Sequence, residues 1–253
     1  MYVASPFEQK LFDERDRIIG GARDKGIILR LLGALAIRTH CEKFSYIHEK
    51  ANRTLSDLDM AAYLRQGTEI TRYFKDAGYK HSALGAIPGL KRAVFLGDGE
   101  LHVDIFYGGL EMCHDIPFKD RLEIDYPTIP LAELLLEKMQ IVQINEKDLI
   151  DTIMLLREHD ISDNDKDVIN GQRVAGLCSE DWGLWRTTTM NLDKVTRYAE
   201  TFSAINEEDK KDVTKKIRSL LDRVEKQPKS LKWKMRARVG DSKVWYRSVE
   251  ERA

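Results

Sequence analysis

Two aspartates two residues apart, Asp57 and Asp59, stand in a run of β-forming residues from Leu55 to Tyr63. Side chains alternate along a strand, so both carboxylates project from one face. That close together they repel each other, and a divalent cation relieves the repulsion. A donor set of oxygens alone suits Mg²⁺ or Mn²⁺. Asp104 sits alone in a second β-type run, Leu101-His102-Val103-Asp104-Ile105-Phe106, where a charge among apolar residues needs a partner. If the two strands are neighbours, the three acids form one cluster. Taken alone, Ser56-Asp57-Leu58-Asp59 is a pair that occurs by chance on many surface strands. Its weight comes from Asp104 downstream and from a glycine-opened helix upstream.

That glycine is Gly33, which follows the apolar run Ile27 to Leu32 and precedes helix-forming residues from Ala34 to Tyr46. A helix N-terminus offers unpaired N–H groups and partial positive charge, and a glycine before it lets a phosphate approach the backbone. A plain strand-to-helix turn would leave the same signature.

The elements that must carry these residues follow from periodicity. Phe7 to Ile19 reads as an amphipathic helix ended by Gly20-Gly21, and Glu69 to Ala77 as a helix closed by Gly78. Arg92 to Leu96 and Leu101 to Phe106 read as strands joined through Gly97-Asp98-Gly99-Glu100, a hairpin signal. Pro130 opens a helix from Leu131 to Val142, and Asn145 caps another from Glu146 to His159. Asp181 to Ile205 and Glu207 to Lys226 read as long helices, with Pro228 breaking the second. Trp233 to Val239 and Lys243 to Val249 read as a terminal hairpin about Gly240-Asp241. The predicted class is α/β (α+β): a mixed sheet with flanking helices over residues 1–128, then a mainly helical region over 129–253 ending in a basic hairpin. Asp160 to Asp167 holds four acids but lacks the glycine and closing Glu of a calcium loop, and reads as a linker.

Gly33-Ala34, Arg53, Ser56-Asp57-Leu58-Asp59 and His102-Val103-Asp104 together resemble the nucleotidyltransferase superfamily of DNA polymerase beta. That superfamily uses a Gly-Ser or Gly-Gly pair opening a helix, a DxD strand, and a third Asp on a neighbouring strand. The stretch from Leu134 to Asp151 is similar to one in the AbiEii-type nucleotidyltransferases, the toxins of toxin–antitoxin pairs. The resemblance spans about residues 25–160. It implies a nucleotidyltransferase-type sheet and transfer of an NMP from an NTP to an acceptor hydroxyl, on RNA such as tRNA or on a small molecule. It further implies Mg²⁺ (or Mn²⁺) held by Asp57, Asp59 and Asp104, with Asp104 also helping to deprotonate the acceptor. Gly33 and Ala34 N–H groups would hold the terminal phosphates, beside Ser56 of the DxD segment. Lys138 would meet the triphosphate, Lys147 would add charge, and an acid after it would be functional, Asp148 ahead of Asp151. Asp151 also reads as an exposed acid on a helix face. Arg53 would touch phosphate or pair with Asp57. Ala34 departs from the usual Ser or Gly and removes a hydroxyl contact to phosphate, which keeps open a nucleotide- or RNA-binding module with little catalysis. An antitoxin protein is the further partner implied.

Composition bounds these readings. The 253 residues are 42% hydrophobic and 33% charged, the profile of a globular protein with a sizeable core. No apolar run approaches the roughly 20 residues that span a bilayer. The opening MYVASPFEQKLFDERD has no apolar signal region, and three scattered cysteines make no disulfide framework, so a cytoplasmic setting is expected. The net charge of −1 hides an asymmetry: Lys210 to Arg247 holds fourteen Lys and Arg against four Asp and Glu. With Trp233, Trp245 and Tyr246 interleaved, this segment reads either as a nucleic-acid surface or as a solvated helical face.

Overall fold

The computed structural model describes residues 5–82, 91–99 and 101–249. Glu100 of the expected hairpin turn and the first four residues of the chain lie outside them. The fold is α+β, and it divides into two compact units. The first holds Met1–Thr39, Thr54–Glu111 and Pro117–Pro130; the second holds His40–Arg53, Met112–Ile116 and Leu131–Ala253.

The first unit is built on a mixed five-stranded sheet in the order β1-β2-β5-β4-β3, where β1 is Leu29–Leu32, β2 Leu58–Ala62, β3 Lys80–Ser82, β4 Arg92–Leu96 and β5 His102–Tyr107. The central β2–β5 pair is parallel and the other pairs are antiparallel. One face is apolar: Leu29, Leu31, Leu58, Met60, Val103, Ile105, Ala93 and Phe95 are all buried. Phe95 stacks on Phe74 of helix α4 (Gly67–Asp76) with ring centroids 4.4 Å apart. The opposite face carries Asp59, Asp104 and Arg92 and is only half buried.

Helix α1 runs over Pro6–Asp24, opened by a capping box between Ser5 and Glu8. Gly20-Gly21 therefore does not end it, contrary to expectation. The absence of a side chain at Gly21 serves packing instead. A Cβ there would stand 2.6 Å from the Tyr73 hydroxyl, which donates to Ile18 O at 2.8 Å. The helix stops at Lys25, and Gly26 follows with φ +69°.

The second unit is helical: α3 (Tyr46–Lys50), α5 (Leu131–Met139), α6 (Glu146–Glu158), α7 (Gly171–Glu180), α8 (Trp182–Thr201), α9 (Glu207–Lys226) and α10 (Leu231–Ala237). Asn145 caps α6 by accepting from Asp148 N, and Asp181 caps α8. The expected terminal hairpin is absent. Ser230 accepts from Trp233 N and starts α10 where the first hairpin strand was predicted.

Candidate active site

Gly33 begins helix α2 (Gly33–His40) directly after β1. Its φ is +78°, a left-handed value that glycine adopts without steric cost. A Cβ there would also lie 2.8 Å from Asp59 Oδ2, so glycine is required twice at this position. The register explains the approach, because Leu32 pairs with Asp59 across β1–β2. Asp59 in turn pairs with Asp104 across the parallel β2–β5 ladder. Register partners share a face, so the two carboxylates are cross-strand neighbours, with Asp59 the one at the N-terminal end of α2. There the helix dipole favours negative charge.

Like charges in directly opposed positions repel. Arg92 relieves part of this, its guanidinium bound to Asp104 Oδ2. Arg92 pairs with Phe106 in the β4–β5 register, which sets it diagonally beside Asp104. Asp104 Oδ1 is buried and has no hydrogen-bond partner. Asp57 lies just before β2 and is exposed, accepting from Ser56 Oγ at 2.7 Å. Among the described residues no three His, Cys, Asp or Glu side chains converge as metal ligands. The structure thus sets Asp59 and Asp104 side by side, while Asp57 and Ser56 stand on the strand approach and Ala34 in the first turn of α2. His102 is exposed at the start of β5.

The remaining expected site residues belong to the second unit. Lys138 on α5 is only 7% exposed. Its Nζ lies 3.1 Å from Asp148 Oδ1, 3.1 Å from Asp151 Oδ2 and 3.7 Å from Glu137 Oε1. Asp151 is fully buried, which corrects its reading as an exposed acid. The Arg53 guanidinium grips it with two prongs, Nε to Oδ1 and Nη2 to Oδ2, each 3.0 Å. His48 Nε2 lies 3.0 Å from the same carboxylate. Burial alone would raise the Asp151 carboxyl, but Lys138, His48 and Arg53 outweigh it and hold it far below the usual carboxylate range. Burial would lower Lys138, yet Asp151, Glu137 and Asp148 hold its ammonium well above the usual lysine range. The chain thus satisfies these charges internally, tying α3, α5 and α6 together. Lys147, one residue before Asp148, is exposed.

The basic C-terminal stretch also differs from expectation. Because Leu231–Ala237 is helical, Lys232, Lys234, Arg236 and Arg238 do not alternate onto one strand face. Arg236 is structural: it lies 4.5 Å above the Trp182 ring and donates to Gly240 O and Lys243 O. Trp233 packs on Trp185 and Trp245 on Trp182, and Trp245 Nε1 donates to Thr187 Oγ1 at 3.0 Å. The aromatics expected to stack on bases are engaged within the protein. Arg247 likewise donates to Met112 O at 2.7 Å and pairs with Asp115. On α9, by contrast, Lys211, Lys215 and Arg218 line a groove and form no ion pair among the described residues, while Lys210, Lys216, Arg223 and Lys226 all do.

Arg92, Glu137 and His48 escaped the sequence reading. Arg92 had a signal, since it opens a strand that pairs with the Asp104 strand. His48 meets Asp151 only through tertiary packing and had none. In comparisons with known proteins, no family model and no curated protein matches the chain. No described helix is long and apolar enough to cross a membrane.

Proposed function

We propose that the chain is a Mg²⁺-dependent nucleotidyltransferase that moves an NMP from an NTP to an acceptor hydroxyl, on RNA such as tRNA or on a small molecule. The observation that carries this reading is the Asp59–Asp104 register pair beside Gly33. The donors fit Mg²⁺ or Mn²⁺. They are oxygens, they repel one another, and Asp104 Oδ1 is buried without a partner. Asp59 and Asp104 would hold the ion with Asp57, and the bound ion would neutralise charge on the triphosphate.

The chain's own groups do the rest. Gly33 and Ala34 N–H groups, at the positive end of α2, receive the terminal phosphates. Gly33 permits close backbone approach, and Ala34 adds no hydroxyl contact. Arg92 holds one oxygen of Asp104 and leaves the other without a hydrogen bond, and that oxygen would take the acceptor hydroxyl's proton. In the second unit exposed Lys147 is open to a phosphate, whereas Lys138 and Asp148 act on each other.

A second reading, a nucleotide- or RNA-binding module with little catalysis, is favoured by Ala34 and by the Arg92–Asp104 pair. Incubating the chain with each α-labelled NTP, Mg²⁺ and total tRNA separates the two. The transferase puts label on RNA, and Asp59→Ala abolishes transfer with an unchanged circular dichroism spectrum and an equal or higher Tm, since one repelling charge is gone. NTP binding with no transfer from any NTP would favour the module. Full transfer by Asp59→Ala would remove the assigned role.

A further inference from the structure

We propose that the first unit carries a binding site for a small phosphate-bearing molecule, in a cavity of about 370 Å³ lined by Arg23, Gly26, Ile27, Ile28, Arg30 and Tyr126. It does not depend on the transferase reading.

Arg30 is the centre of the argument. It lies on β1, and its register partner is Ala61, two residues beyond Asp59 on β2. Its Nε donates to Asp125 O at 2.6 Å and its Nη1 to Leu29 O at 2.8 Å. Both acceptors are neutral carbonyls. They fix the orientation of the guanidinium without cancelling its charge. The side chain is half-buried, and among the described residues it forms no ion pair. Arg53, Arg157 and Arg173, also partly buried, each hold a carboxylate. Burial pushes Arg30 below the usual arginine range, against the pull of Tyr126, Glu123, Asp125 and Tyr63. Water has been partly removed from a cation and, among the described residues, no carboxylate is bonded to it; Glu123 and Asp125 act on it only at longer range, which leaves room for a bound anion.

Arg23 adds a second cation from the last turn of α1. It is exposed and, among the described residues, forms no ion pair. Its guanidinium lies 5.0 Å from the centroid of the Tyr126 ring, and that of Arg30 lies 5.3 Å from the same centroid. Two like charges share one aromatic ring, and an anion between them would relieve their repulsion. Guanidinium forks match the oxygens of a phosphate in geometry as well as charge.

The walls are preformed. Gln66 accepts from Ile28 N at 3.0 Å and donates to Gly26 O at 3.0 Å. The Tyr126 segment is laid along β1 by Leu31 N to Pro127 O (3.0 Å) and Ile129 N to Leu31 O (2.9 Å). The cavity is larger than a phosphate ion and falls at the small end of organic-ligand sites, so an organic phosphate fills it better.

The test is a ¹H–¹⁵N titration of the full chain at constant ionic strength with inorganic phosphate and with ribose 5-phosphate, and with chloride as the control. Saturable shifts at Gly26, Ile27 and Ile28 are expected. About tenfold tighter binding of ribose 5-phosphate would mark an organic phosphate as the ligand, and equal binding would mark phosphate itself. Arg23→Gln, an exposed change, should weaken binding about tenfold. Arg30→Lys keeps the charge but loses the fork, and should weaken it at least as much. Shifts confined to Gly33 and Ala34, no saturation by either probe, or undiminished binding in Arg23→Gln would overturn the proposal.

Discussion

Replacing Asp151 by Asn removes one charge and little volume from the most enclosed ion cluster in the second unit. Lys138 and Arg53 then lose the carboxylate that lies 3.0–3.1 Å from each, and His48 loses the same contact. Breaking a buried pair from one side typically costs about 3–5 kcal/mol, because the remaining charges stay desolvated. Asp151 is fully buried, so solvent screening brings no discount. With a urea slope of about 2 kcal/mol/M, a loss of about 4 kcal/mol moves the midpoint down by about 2 M. Lys138→Met should cost a similar amount, since it leaves Asp148, Asp151 and Glu137 without their shared cation. The double variant should lose about 1–3 kcal/mol less than the sum of the two. The pH dependence follows from the directions of the shifts. The Asp151 carboxyl is held far below its ordinary value, so its contribution is complete above the unfolded carboxyl value of about 3.9 and fades as pH falls below it. Lys138 is held above its ordinary value, so its contribution is complete below about 10.4 and fades only at still higher pH. The gap between wild type and Asp151→Asn should therefore be open at pH 7 and narrow below about 4. Urea melts at several pH values measure it. A loss under about 1 kcal/mol at pH 7, or strict additivity in the double variant, would refute the reasoning.

Gly33→Ala should cost about 1–2 kcal/mol for its left-handed backbone, plus the displacement of Asp59; in an Asp59→Ala background thermal melts should show only the backbone part. If the acceptor is RNA, reversing Lys211, Lys215 and Arg218 to Glu should weaken binding across sequences and flatten the salt slope by about 2 in log–log form. Trp233→Leu should leave RNA affinity unchanged in the same filter-binding assay, because its ring packs on Trp185.

The sheet-bearing half of the fold was legible because its signals are local. Gly33 marks a strand-to-helix turn, and the strand Arg92–Leu96 falls where its apolar run does. The α9 bounds follow likewise from its amphipathic period and its Asn206 cap. The errors came where tertiary packing overrides local punctuation. Gly20-Gly21 reads as a helix stop, but the approach of Tyr73 gives Gly21 another reason to be glycine. The segment Trp233 to Val239 alternates like a strand, but the Ser230 cap and packing on the α8 tryptophans make it helical. Arg236, one cation of the basic C-terminal stretch, is engaged by Trp182 and two carbonyls. No spacing rule shows this, because its partners come from another helix and a later turn.

The same distinction separates the acids. Sequence flags Asp59 by its two-residue spacing from Asp57, Asp104 as a lone acid among apolar residues, and Asp148 and Asp151 only through the resemblance. What a carboxylate can do depends on how much of its demand for positive charge the chain itself meets. Asp151 has Lys138, Arg53 and His48 around its two oxygens, and has little capacity left for a ligand. Asp148 faces Lys138. Asp104 has Arg92 on one oxygen, while its other oxygen is bare and has Asp59 as its cross-strand neighbour. Burying an acid with that demand unmet costs stability, and a fold gains nothing from it unless something else supplies the charge. Asp59 of the Asp59–Asp104 pair lies beside Gly33, which opens α2. On the proposed reading, Asp104 with one oxygen unbonded, its cross-strand neighbour Asp59 and the helix start at Gly33 are the groups a metal-bound triphosphate would meet.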